Sequence, residues 1–361
     1  MVYPQVVRRL GYLMLPVLLA AGILTLIVQS AHADGKLQDV TFPPPLSTPL
    51  TGTYGTVADG IGMQYVTSTR TITLTVPGTV TVAYIYWSVR DLNTGGDNAI
   101  TLVVDGGAGI PVTADATFGP DLAFSTQYNY VYVAEITSLV QNGTHTYRID
   151  DLTISSPSGR IYGAGIIAVY EDPSLPTTTI QMKQGLDYLY HGFPGVRGSP
   201  SEVNCLFFAA NATFDRVMDV TMFVADVGAN RPNRLWYEVG TGITPTNLLT
   251  SSGAISVTNP FFNSDGEEWD TYESSLVVPS GSTWVCFQVE SVVPGPGDPD
   301  GASVLWLMSA TGLREQTPTT VSLAVLQAAE VPLSRLIWPL LIVLAGLITT
   351  GLLLYRRRRP V

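Results

Sequence analysis

Acidic side chains gather at two points of this sequence. Asp265, Glu267, Glu268 and Asp270 surround Trp269 in NSDGEEWD, and Asp298 and Asp300 lie in GDPDG. Ca2+ takes about six to eight hard oxygen ligands, often from flexible loops, so both runs are candidate structural calcium sites. Neither has EF-hand or RTX spacing, and solvated acidic turns are the simpler reading. Two carboxylates beside an exposed Trp269 or Tyr188 would also suit glycoside hydrolysis, which needs an acid and a second carboxylate across a sugar; no cleft signature accompanies them. Trp236 and Trp269 border loops, where an indole face can stack on a sugar ring; packing in a core or at its rim is the competing reading. Trp87, Trp284 and Trp306 lie in strand-like runs and are expected to fill cores.

The chain's two cysteines, Cys205 and Cys286, occur in NCLFFAANATF and STWVCFQVE. In an exported domain the pair reads as a structural disulfide; two separate buried thiols are the alternative. Histidine is nearly missing. His32, His145 and His191 are too few for a His-rich zinc site, and no HExxH, CxxC or GxSxG occurs. His191, in DYLYHG, suits a loop histidine packed on tyrosine better than a general base. No catalytic residue and no cofactor beyond the possible Ca2+ is therefore predicted. Asn142 in NGT and Asn211 in NAT are candidate N-glycosylation sites.

The two ends of the chain set its expected topology. Arg8 and Arg9, the apolar run Leu10 to Val28 and the small-x-small triplet Ala31-His32-Ala33 predict a secretory signal over residues 1–33. An uncleaved anchor is the alternative, and export follows from both. Residues 336–354 form a second apolar run, which as a helix at about 1.5 Å per residue spans a bilayer core. Arg356 to Arg359 follow at once and, by the positive-inside rule, place the tail 355–361 in the cytoplasm and all that precedes the span outside. A transpeptidase sorting signal has the same outline, but no LPxTG-type motif precedes the run. Residues 314–335, opening with REQTPTT, read as a short stalk.

Between the ends the pattern is that of strands. Thr71 to Val76 (TITLTV) alternates Thr with Ile, Leu and Val, as a half-buried strand requires, and Pro77-Gly78 turns the chain. Thr79 to Val89 is β-branched and aromatic, Ile100 to Val104 ends at DGG, and Gly163 to Tyr170 is nearly all apolar, which suits a strand buried on both faces. Helical signals are confined to Glu135 to Gln141 and Leu326 to Glu330. Several segments recur at an offset of about 140 residues. Val80 to Val89 is answered by Val217 to Val227, Ile100 to Asp105 by Arg234 to Val239, Glu135 to Val140 by Glu273 to Val278, and Gly163 to Tyr170 by Ala302 to Thr311. The expected fold is all-β: two tandem β-sandwich domains, jelly-roll or Ig-like, over residues 34–173 and 174–313, followed by the transmembrane helix.

Ala83-Tyr84-Ile85-Tyr86-Trp87 with Asp97 to Val104, Ala134 to Leu139 with Asn142-Gly143-Thr144, Gly165 to Leu175 (GIIAVYEDPSL) and Trp269-Asp270 together resemble a family of prokaryotic surface proteins from methanogens and some bacteria that carries only a domain-of-unknown-function label. The resemblance covers roughly residues 45–315, and GIIAVYEDPSL is its most specific part. It implies display outside the cell, often beside repeat modules implicated in adhesion or envelope structure. It attaches no catalytic residues.

Charge limits the partners. The formal net charge is −11, and residues 34–334 hold all 29 acids against 11 bases, a net of −18. Such a surface repels phosphate backbones, so nucleic acid is excluded as a partner. The sequence thus predicts a membrane-anchored extracellular module, structural or adhesive and non-enzymatic, whose partner is a surface protein or glycan. A carbohydrate-binding surface protein using Trp236 and Trp269 is the first alternative, and a surface hydrolase of unrecognised type the second.

Overall fold

The computed structural model describes residues 37–315 apart from 65–69, 93–95, 194–197, 210–212, 230 and 294–302. The expected signal, the stalk beyond Glu315, the span 336–354 and the basic tail lie outside the described residues, as do Asn211, Asp298 and Asp300. Among the described residues no helix is long and apolar enough to cross a membrane.

The fold is all-β, with every strand pairing antiparallel. Two short strands, β1 (Gln38–Asp39) and β2 (Leu50–Gly52), lead into β3 (Tyr54–Gly62), β4 (Thr71–Val76), β5 (Thr79–Leu92), β6 (Ala99–Val104), β7 (Gly109–Thr113), β8 (Ala116–Phe124), β9 (Gln127–Glu135), β10 (Gly143–Asp150) and β11 (Arg160–Glu171). The chain continues through β12 (Thr178–Tyr190), β13 (Asn204–Phe207), β14 (Arg216–Ala225), β15 (Asn233–Gly240), β16 (Ile255–Thr258), β17 (Trp269–Val278), β18 (Trp284–Ser291) and β19 (Ser303–Arg314). The sheets run β3-β11-β5-β9-β8 and β4-β10-β6-β7 in the first half, and β1-β12-β19-β14-β17 with β2 on β12, and β13-β18-β15-β16, in the second. Strand for strand the order repeats: β12 stands where β3 does, β19 where β11, β14 where β5 and β17 where β9. The smaller sheets match in the same way.

Three apolar cores stack these sheets in four layers. Ile72, Leu74 and Val76 of β4 meet Ile85 and Trp87 of β5 between the first two sheets. Met218 and Met222 of β14 meet Val285 and Phe287 of β18 between the last two. A third core joins the two larger sheets face to face, with Tyr84 and Tyr86 of β5 and Ile167 of β11 against Phe223, Trp269 and Leu305 of the second half. The larger sheets are therefore inner layers buried on both faces. That position explains why β5, β11 and β19 read as continuous apolar runs, whereas β4, in an outer sheet, buries Ile72 and Leu74 and exposes Thr73 and Thr75.

Local signals account for the remaining details. The helical signal after Glu135 is a single 3-10 turn, Thr137–Leu139. A second turn, Leu248–Thr250, carries no pattern in the sequence and is capped by the Asn247 side chain, which accepts from Leu249 N at 3.0 Å. The offset pairing of Glu135 to Val140 with Glu273 to Val278 matches sequence but not conformation. The first segment leaves its strand where Thr137 Oγ1 accepts from Ala83 N, whereas the second is strand β17 throughout. Strand β19 runs one residue into the expected stalk. Arg314 pairs with Thr178, and Glu315 is tied to Arg216 at 3.0 Å.

Cys205 and Cys286 are direct cross-strand neighbours on β13 and β18 and form a disulfide. Deleting it, as in Cys205→Ala with Cys286→Ala, opens a loop of 81 residues and is expected to cost about 4 kcal/mol in denaturant unfolding under oxidising conditions. Close approach of the inner sheets depends on glycine in β11. A Cβ on Gly163 would stand 2.3 Å from the Ile61 carbonyl oxygen and 2.9 Å from the Trp269 ring. Gly163→Ala is expected to destabilise the fold by about 2 kcal/mol, seen as a lowered Tm, because neither the paired backbone nor the buried indole can give way.

Candidate functional site

The strands β5 and β11 bring two arginines opposite one another at one end of the inner layers, Arg90 pairing with Arg160. The sequence contains a hint of this in hindsight: Arg90 interrupts an apolar strand, AYIYWSVRDL, whose neighbours are buried on both faces. Like charges directly across a ladder repel, so the pair requires compensation nearby. For Arg160 it comes from Glu268, whose Oε1 accepts from Arg160 Nη1 at 2.7 Å. Arg231 Nη1 and Nη2 also grip Glu268, both at 2.9 Å, the two-pronged geometry for which guanidinium is suited. Asp226 approaches the same group, 3.4 Å from Arg231 Nη1.

Glu268 and Asp226 are fully buried, and their backbones sit at φ of 72° and 54°. Side chains other than glycine are uncommon there, and such positions persist only where the surroundings fix them. Here the Asp226 amide donates to the Glu268 carbonyl at 3.1 Å, carrying the pairing of β14 with β17 one residue beyond Ala225 and Trp269. Burial, with Asp226 alongside, pushes the Glu268 carboxyl up to about 7 against the opposing pull of Arg231 and Arg160. Burial likewise raises Asp59, Asp265, Asp270 and Glu273.

Arg90 is treated differently. It is 7% exposed, lies 5.5 Å from the Phe124 ring centre and 5.9 Å from that of Tyr162, and its Nε is buried with no hydrogen-bond partner. Beside it runs a groove of about 770 Å3 whose lining includes Gln64, Arg70, Arg90, Phe124, Gln127 and Arg160. Arg70 donates to the Leu152 carbonyl at 3.2 Å, and Gln127 to Ser158 across the rim. No acid lines this groove among the described residues.

The acids singled out in the sequence do not converge. Glu268 turns inward to the arginines. Asp270 organises its own loop, accepting from Phe262 N at 2.7 Å and from the Ser264 hydroxyl at 3.0 Å, and Glu267 accepts from Asn263 Nδ2 at 3.1 Å. Asp265 accepts from the Ser264 hydroxyl at 3.4 Å. Among the described residues no three His, Cys, Asp or Glu side chains gather as a metal site.

The two loop-border tryptophans separate. Trp269 is fully buried against Phe223 in the core between the inner sheets, so it presents no face to a sugar; the strand it opens carries it inside. Trp236 stays half-buried on β15, its Nε1 donating to Glu290 at 2.8 Å. Trp87, Trp284 and Trp306 fill cores. His191 packs edge-on against Tyr190, with ring centres 4.8 Å apart, and Asn142 is exposed in the turn before β10. Sequence reasoning missed Arg90, Arg160, Asp226 and Arg231, which the fold collects from three separate places in the chain.

Stacked antiparallel sheets around a buried ion cluster define an all-β protein. The family described as "Protein of unknown function (DUF3344)" matches over residues 48–284, a span that crosses both halves, and the chain belongs to that family. No curated protein matches it. Solved structures similar to it include that of infectious bursal disease virus Gx strain, at 10% identity and a TM-score of 0.25, covering 80% of this chain and 76% of that one. The N-terminal CBM22-1-CBM22-2 tandem domain of Paenibacillus barcinonensis Xyn10C matches at 11% identity and a TM-score of 0.20, covering 77% and 98%. The STIV MCP matches at 10% and 0.18, covering 71% and 96%. Likenesses this slight decide nothing about this chain.

The raised Glu268 carboxyl links stability to pH. Folded, it holds its proton until about pH 7, whereas an unfolded glutamate releases it near the ordinary value of 4.5. The folded state therefore binds more protons across that window, and stability falls as pH rises through it. Asp59, Asp265, Asp270 and Glu273, raised by burial as well, add the same sign. Glu268→Gln is expected to flatten the decline between pH 5 and 7 by about 1 kcal/mol per pH unit, read from calorimetric unfolding of both proteins.

Proposed function

We propose that this chain is an exported, membrane-anchored surface module with a structural or adhesive role and no enzymatic one. The observation that carries the reading is the Cys205–Cys286 disulfide, because such bonds persist in oxidising compartments and are rare in the cytosol. The apolar run before Arg356 to Arg359 and the N-terminal signal pattern point the same way. The role is display. Two jelly-roll sandwiches, one built from β3 to β11 and the other from β12 to β19 with β1 and β2 added at its edge, share an apolar core and form a stiff block whose end loops face a partner while one helix holds it to the cell membrane, with the basic tail cytoplasmic. The jelly-roll reading follows from strand order. Counting the eight matching strands of each half in sequence, one sheet runs 1-8-3-6 and its companion 2-7-4-5.

A second reading, a carbohydrate-binding surface protein, is favoured by the arginine-lined groove rather than by Trp236 or Trp269. The location is tested by treating intact host cells with an external protease, using a chain tagged at its C-terminus. Loss of the full-length band with survival of a short tagged fragment is expected; full protection until lysis would sink the surface assignment.

A further inference from the structure

We infer that the groove beside Arg90 binds an acidic polysaccharide, taking the carboxylate of a uronate sugar on its arginines and the sugar ring on Phe124. Three arginines without an acid run against the composition of a region whose net charge is −18. Of the three, Arg160 is committed to Glu268 and Gln64, and Arg70 to a carbonyl. Arg90 Nε is buried with no hydrogen-bond partner among the described residues. The carboxylates whose charge reaches it, Asp226 and Glu268, face Arg231, and Glu268 faces Arg160 as well.

A guanidinium that is 7% exposed, with its Nε unpartnered, gives up hydration for very little return unless an anion completes it. Its carbon lies 5.5 Å from the Phe124 ring centre and 5.9 Å from that of Tyr162, so aromatic rings confine the guanidinium, whose forked donors suit a carboxylate. The remaining lining selects a sugar over a bare anion. Phe124 is 37% exposed and leaves apolar surface beside Arg90 for a sugar to pack on, and the amides of Gln64 and Gln127 suit hydroxyl groups. The groove's volume of about 770 Å3 is in the range of sites that take a sugar-sized ligand. The inference goes beyond the display role, which the protease assay tests without any ligand.

The test uses the full chain in detergent and titrates it with oligogalacturonate, with the fully methyl-esterified oligomer of the same length, and with sodium sulfate. Binding of the acid form that weakens with salt, and at least about tenfold weaker binding of the ester, is expected. Arg90→Gln and Arg70→Gln should each weaken binding by about tenfold or more, and Phe124→Ala should weaken the oligomer without changing sulfate. Should Arg90→Gln fail to fold, Arg70→Gln and Phe124→Ala decide the matter. Equal affinity for acid and ester, no binding of the acid, or unchanged affinity in the Arg70 and Phe124 variants would overturn the inference. Sulfate binding as tight as that of the oligomer would overturn the assignment to a sugar, leaving a simple anion site.

Discussion

The contact between the two inner sheets is the constraint from which the remaining features follow. A sheet covered on both faces has no solvent side, so its strands cannot alternate polar with apolar residues. Tyr84 and Tyr86 of β5 point toward the second half while Ile85 and Trp87 point toward the outer sheet, and all are buried. The same division runs through β11, where Ile166 and Ile167 enter different cores. Close-packed interiors resist even small misfits, which is why glycine stands in β11 where the Trp269 indole and Phe223 ring press on it. The outer sheets, covered once, carry the exposed threonines.

Such a stack leaves polar chemistry only at its rims, and one rim concentrates it. Arg90, Arg160, Arg231, Asp226 and Glu268 occupy the margin of the central core, where strands end and turns begin. Removing a charge from water costs several kcal/mol unless a partner replaces the hydration. Glu268 meets that condition through three guanidinium contacts, at the expense of a turn held in the left-handed region. Arg90 meets it only in part, by lying between aromatic rings. The difference between the two groups separates a structural ion cluster from a surface with donors left to offer. It also places basic character inside a protein whose outer surface is strongly acidic.

Much of the architecture was legible along the chain, for physical reasons that act locally. The alternation of TITLTV marks a half-buried strand because side chains point to opposite faces, and the apolar run at Gly163 to Tyr170 marks burial on both. The repeat of segments foreshadowed matching strand orders, and two cysteines in strand-like runs of one region foreshadowed their bond. Composition argued against long amphipathic helices without reference to any contact. The site was far less legible. NSDGEEWD looked like one acidic loop, and Asp265, Glu267 and Asp270 do accept from Ser264, Asn263 and Phe262 close by, yet Glu268 turns inward because its partners, Arg160 and Arg231, are brought in from elsewhere. Trp269 looked like a loop residue and became the centre of the core.

What the sequence determined by itself was the strand content, the disulfide partners and the acidic balance, since each depends on residue type and short-range period. Tertiary structure alone decided that the two halves share a core, that Glu268 turns inward, and that Arg90 and Arg160 face each other across a ladder 70 residues apart in the chain. Those outcomes depend on register and on sheet-to-sheet packing. Both are set by the summed burial of many side chains, and no short window of sequence contains that sum.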